Sequence, residues 1–181
     1  MSGMTEIFQE NPAAAVFGFA GLLCQVIWPI FRARSAIMTA QFGIGADYGV
    51  QYALMGAWSG AGVCALGATQ TALALFAGDK TWVRWFGPAA VPVVGAICIA
   101  TWSGPESLCA LIAVSLIMIG RAQSDALRLR MLLLAAAPFG MAYDVFTGAL
   151  PALMGGMLSA AIAVAMLVRE IKSRRAPVFA N

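Results

Sequence analysis

The placement of its basic residues constrains this chain more than any other feature. All eleven Lys and Arg residues fall into four groups: Arg32 and Arg34; Lys80 and Arg84; Arg121, Arg128 and Arg130; and Arg169, Lys172, Arg174 and Arg175. Between the groups run apolar stretches far longer than a core helix. A helix rises ~1.5 Å per residue and a bilayer core is ~30 Å thick, so one span takes roughly 20 residues. Ser35 to Gly78 holds two such spans, turning at Gly56–Gly60. Trp85 to Gly120 holds two more, broken at Ser103–Glu106. Met131 to Val168 holds another pair, broken near Thr147-Gly148 and Pro151, and Ala13–Phe31 precedes them all. The expectation is seven spans.

An odd count places the termini on opposite sides. Basic residues are retained in the cytoplasm, so all four groups are assigned there and the C-terminus with them. The N-terminus with Glu6 and Glu10, and the loop with Glu106, then face out. Trp28, Trp82 and Trp85 fall near the inner ends of spans and Trp58 and Trp102 near the outer ends, where indoles anchor. The acidic leader and long first apolar run differ from a cleaved signal peptide.

Only 10% of the residues are charged and 61% are apolar, against ~25% and ~45–50% in soluble domains. That excludes a soluble enzyme, a disordered tail and a nucleic-acid binder. The net charge of +3 therefore reports orientation and implies no anionic ligand. Histidine is absent, which removes imidazole-based nucleophiles, His-ligated zinc and the usual switch near neutrality. Cys24, Cys64, Cys98 and Cys109 all fall inside spans without metal-ligand spacing and read as small buried hydrophobes.

A shift of 92 residues lays the second half on the first. Gly56-Ala57 meets Gly148-Ala149, Leu66 meets Leu158, Leu75 meets Leu167 and Lys80 meets Lys172. Three spans reverse direction, so an intervening fourth restores it and makes the two units parallel. The expected architecture is an all-α integral membrane protein with a 3+1+3 repeat. Residues 13–78 and 105–169 form three-helix bundles, 83–102 a linker helix and 170–181 a cytoplasmic tail. Parallel repeats of this kind place a solute site near the midplane between them.

From about Pro12 to Glu170 the chain resembles the YgjV-type bacterial inner membrane proteins. The resemblance is carried by Gly49-Val50-Gln51-Tyr52-Ala53-Leu54-Met55-Gly56, by Gly95–Trp102, and by Arg130–Arg169 with Tyr143-Asp144-Val145-Phe146-Thr147-Gly148 at its centre. More distantly, that family is similar to the SWEET/SemiSWEET and PnuC transporters. The resemblance implies a fold and a location.

Two carboxylates fall within spans, Asp47 and Asp144. A charged residue at a helix centre costs ~2.5–3.5 kcal/mol on insertion scales, so such groups face a bundle interior or a water-filled cavity. Asp144 stands about five residues nearer its outer turn than Asp47 does, roughly 7 Å shallower. Asp47 and Gln51 share one helix face, with Tyr48 and Tyr52 on the adjacent stripe. Tyr143 adjoins Asp144, span three offers Thr69, Gln70 and Thr71, and span one offers Gln25. The expectation is one cavity lined by Asp47, Gln51, Gln70, Tyr143 and Asp144, with Tyr48 and Tyr52 beside it. Without a fixed positive charge it suits a neutral polar or cationic solute, and its carboxylates could carry protons.

Two other readings compete with a transporter. In a membrane scaffold, the carboxylates, Gln and Thr serve only to fix helix pairing. An intramembrane aspartyl protease is hinted at by Gly43-Ile44-Gly45-Ala46-Asp47, Tyr143-Asp144 and Pro151-Ala152-Leu153, but the glycine motif has an extra Ala46 and the order is reversed. A protease would need both carboxyl groups within hydrogen-bond reach. The expected partners are membrane lipid and a small solute, with room for a homo-oligomer and none for nucleic acid. No enzyme activity, cofactor or metal is expected, and the basic tail reads as a contact for anionic lipid.

Overall fold

The computed structural model describes residues 11–77 and 80–175, and all its regular structure is helical. Glu6, Glu10, Gly78 and the tail beyond Arg175 lie outside the described residues. The helices are α1 (Pro12–Ile27), α2 (Arg34–Leu54), α3 (Trp58–Phe76), α4 (Thr81–Ala100), α5 (Pro105–Arg121), α6 (Ala126–Thr147) and α7 (Leu150–Arg175). Their ends obey local chemistry. Asn11 caps α1 by accepting from the Ala14 N–H, and Pro12 takes the first turn, where a missing donor costs nothing. Pro29 breaks the ladder, so Trp28–Ile30 closes α1 as a 3-10 turn. Asp125 caps α6 through the Arg128 N–H, and Gly148 ends it at φ 70°, a left-handed position that suits glycine.

Four of these segments are long and apolar enough to cross a membrane: Pro12–Ile30, Trp58–Phe76, Ala126–Thr147 and Leu150–Lys172. The last helix continues six residues past Arg169, into the region assigned to the tail. Large apolar side chains face outward, with Phe76 90% and Ile99 74% exposed, while Gln41, Gln51, Gln70, Arg121, Arg130 and Asp144 are buried. Polar groups inside and apolar groups outside is the arrangement that a hydrocarbon solvent demands.

Six helices close a ring. Helix α1 packs on α2, α2 on α3, α3 on α5, α5 on α6, α6 on α7, and α7 returns to α1. Helix α4 stands outside, against α3 and α5, where Ala90, Val94 and Cys98 join Val63, Ala110 and Met118 in one apolar cluster. In this ring α2 and α6 are diametrically opposite, and so are α1 and α5, and α3 and α7. A second cluster, Trp28, Ile37, Ala40, Leu129, Leu133 and Ala163, fills the end that bears the arginines. Trp28 is thus buried, unlike Trp58, Trp82, Trp85 and Trp102, which stay exposed. The Pro29 turn swings its indole inward, away from the interfacial position its sequence place suggested.

Candidate functional site: a cavity inside the helix ring

The ring encloses a cavity of about 160 Å³, lined by residues from all six of its helices and by none from α4. Most of the wall is Ala, Val, Ile, Leu and Gly. The polar part comes from Gln25 on α1, Gln41, Tyr48 and Tyr52 on α2, Tyr143 and Asp144 on α6, and Ser159 on α7. The chain has three tyrosines, and every one of them lines this space. No Lys or Arg belongs to the lining among the described residues.

Asp144 is buried, and its Oδ1 accepts a hydrogen bond from the Tyr52 hydroxyl at 2.5 Å. That bond crosses the ring from α2 to α6. The Tyr52 ring meets Tyr143 edge-on, with centroids 5.2 Å apart, and Tyr48 lies 6.2 Å from Tyr52. Tyr143 is held in turn by α3: the Gly60 N–H donates to its hydroxyl at 2.9 Å. Gly60 lies in the first turn of α3, where backbone N–H groups lack helical partners. A methyl there would sit 2.3 Å from the Tyr143 hydroxyl, so only glycine admits this contact.

Deeper in the cavity the bonding is incomplete. The Tyr48 hydroxyl and Gln25 Oε1 are both buried and have no hydrogen-bond partner within the protein. Buried polar atoms are normally paired, at a cost of about 1–3 kcal/mol when they are not. Both atoms converge beside Gly155 of α7, where a methyl would lie 2.7 Å from each.

The arginine-bearing end is tied shut by backbone contacts. Arg121, buried at the end of α5, donates to Gln41 Oε1 at 2.8 Å and to the Gly67 carbonyl at 2.9 Å. Arg34 at the start of α2 donates to the carbonyls of Arg121 and Gln123 after α5. Reciprocally, Arg130 near the start of α6 donates to the carbonyls of Pro29 and Phe31 after α1. The charges that mark one end in the sequence thus also lace it together.

The family described as Imp-YgjV, bacterial inner membrane protein, matches residues 13–174. The chain belongs to that family. Neither a curated protein nor a solved structure matches it. This Imp-YgjV chain is therefore a bacterial inner membrane protein by family, and its four strongly apolar helices agree.

The structure brings together only part of the set that the sequence singled out. Tyr48, Tyr52, Tyr143 and Asp144 share the cavity. Asp47 does not line it; half-buried on α2, it lies outside the space that Asp144 faces. The reason is rotational, because Asp47 precedes Tyr48 by one residue and so points ~100° away around the helix. Gln51 packs against Gly18 of α1, where a methyl would come within 2.7 Å of its Nε2. Gln70 donates to the Met118 carbonyl of α5 at 3.0 Å. Gln70 thus bonds helix to helix and Gln51 packs between helices; neither lines the cavity. Thr69 and Thr71 bond carbonyls one turn back on their own helix. With Asp144 held by Tyr52 and Asp47 outside the cavity, the geometry lends no support to an aspartyl dyad. Sequence reading gave Gln41 no role and Arg121 only a place in a basic group; the contact that joins them carries no signal in the sequence.

Proposed function

We propose that this chain is a small-solute transporter of the bacterial inner membrane, with its solute site in the ring cavity. It takes a neutral polar or cationic solute and spans the membrane seven times. The observation that carries the reading is the cavity wall: a buried carboxylate, three tyrosines and two unpartnered buried polar atoms, with no basic side chain among the described lining residues. A solute site has reason to leave such atoms for a ligand.

The 3+1+3 architecture is supported by the register of the helices. They begin at residues 12, 34 and 58 and again at 105, 126 and 150, offsets of 93, 92 and 92. Exchanging α1, α2 and α3 with α5, α6 and α7 carries each contact of the ring onto another, and each helix onto the one opposite. A two-fold operation of that kind makes equivalent residues near its axis meet. Tyr52 and Asp144 are 92 residues apart and hydrogen-bonded, which argues that the axis runs through the cavity. The carbonyls that Arg34 and Arg130 bond, at 121 and 123 and at 29 and 31, are also 92 residues apart, although the two donors are not equivalent positions. Helix α4 restores the direction of the chain, so the two bundles run parallel, as in transporters with their site between parallel repeats. The basic end is cytoplasmic and the N-terminus outside, by the positive-inside bias.

The test is a thermal-shift screen of the purified protein against sugars, nucleosides, vitamins and amines, repeated on Gly140→Trp. Gly140 lines the cavity, and a Cβ there meets nothing within 4 Å, so the indole projects into the solute space. A transporter gives a stabilising solute class whose effect disappears in the variant. Absence of any stabilising solute, with a folded variant indistinguishable from wild type, refutes the reading. A reporter fused after Asn181 is expected to be active in the cytoplasm; activity outside would overturn the odd span count.

A further inference from the structure

Several acceptor atoms of the cavity-lining residues have unused capacity. A carboxylate accepts at about four lone-pair sites, and Tyr52 satisfies one oxygen of Asp144. Gln25 Oε1 accepts only, and it has no partner. The Tyr48 hydroxyl accepts as readily as it donates and is also unpartnered, on a residue only 4% exposed. Tyr48 and Tyr52 are one helical turn apart on α2, ~6 Å along its axis. Tyrosine rings and apolar side chains line the same cavity. A cation over a tyrosine face gains ~0.5–1 kcal/mol when exposed and ~2 kcal/mol or more when desolvated. The volume resembles that of a ~150 Å³ engineered cavity that takes benzene. It therefore limits the ligand to about one ring with a short substituent.

Resting on the reading of the cavity as a solute site, we propose that its ligand is a small organic ammonium ion. The ammonium donates to Asp144, the body lies against the tyrosines, and any second donor reaches the Gln25–Tyr48 pair. A small anion would meet a carboxylate, two lone-pair-bearing oxygens and no counter-charge among the lining residues. A neutral solute would offer Asp144 a hydrogen bond but no counter-charge.

Three ligands of nearly one size test this: benzylamine, benzyl alcohol and benzoate, titrated onto the full-length protein in lipid nanodiscs and read by thermal stabilisation. The expected result is benzylamine binding at least tenfold tighter than benzyl alcohol, and benzoate not binding. In Asp144→Asn the preference for the amine shrinks to within about threefold. In Gly140→Trp all specific stabilisation is lost, which separates site binding from partitioning into lipid. Benzyl alcohol binding as tightly as benzylamine, or a neutral library solute stabilising the protein while benzylamine does not, overturns the cation inference and leaves the transporter reading standing. Failure of the charge series and of the whole solute library overturns both. The wild-type comparison alone decides the charge preference should Asp144→Asn fail to fold.

Discussion

The Tyr52–Asp144 hydrogen bond is the most direct place to test the cavity, because it spans the ring. Tyr52→Phe deletes the donor and changes nothing else in shape. Both residues are only 6% exposed, so water does not replace the lost proton freely. A hydrogen bond to a charged group is worth about 1.5–3 kcal/mol in soluble proteins. Interhelical bonds in membranes average ~0.6 kcal/mol and reach ~1.7, since helices unfolded in lipid find other partners. This bond links opposite helices through a buried carboxylate, which places it at the upper end, about 1–1.7 kcal/mol. For a chain of this size that corresponds to roughly 2–6 °C in melting temperature. The assay is a double-mutant cycle by thermal denaturation in detergent, with Asp144→Leu removing the acceptor at similar volume. Tyr52→Phe is expected to cost its full amount in the wild-type background and almost nothing in Asp144→Leu. Additivity within about 0.3 kcal/mol would show that the two groups do not interact, and the cavity geometry would be wrong.

Other perturbations separate close packing from open space. Gly60→Ala puts a methyl 2.3 Å from the Tyr143 hydroxyl, and is expected to destabilise by about 2–4 kcal/mol, from overpacking plus the lost hydrogen bond; chemical denaturation measures it, with Tyr143→Phe at about 1 kcal/mol for comparison. Gly140→Ala meets nothing within 4 Å and should raise stability by about 0.5–1 kcal/mol through helix propensity in the same assay. Arg130→Ala leaves the Pro29 and Phe31 carbonyls without their donor, and should cost about 2–4 kcal/mol. Glu170→Gln removes the charge from the 3.9 Å ion pair to Arg130, at a partly exposed carboxylate, and should fall below about 1 kcal/mol. Equal losses in the Arg130 and Glu170 variants would mean that the ion pair, and not the carbonyl contacts, holds that end.

The sequence alone determined the division of the chain into helices, because long apolar runs and the turn residues between them are local features that do not depend on neighbours. The expected breaks at Gly56–Gly60, Ser103–Glu106 and Thr147-Gly148 all fall where helices end or begin. It also located the four basic groups. What it could not determine was the rotation of each helix about its own axis. In a helix that is apolar on every side, periodicity carries no inward direction, and only contact with neighbours decides which polar side chains turn to the centre. Asp47 and Asp144 looked equivalent in the sequence, yet packing turned one away from the cavity and hydrogen-bonded the other to Tyr52. The same packing drew Trp28 inward and spent Gln51 and Gln70 on holding helices together. It also converted Arg34, Arg121 and Arg130 from markers of a membrane face into ties across it. Those choices depend on glycines that admit a neighbour at one position and on side chains that fill another. Their effect is visible only when the ring is closed.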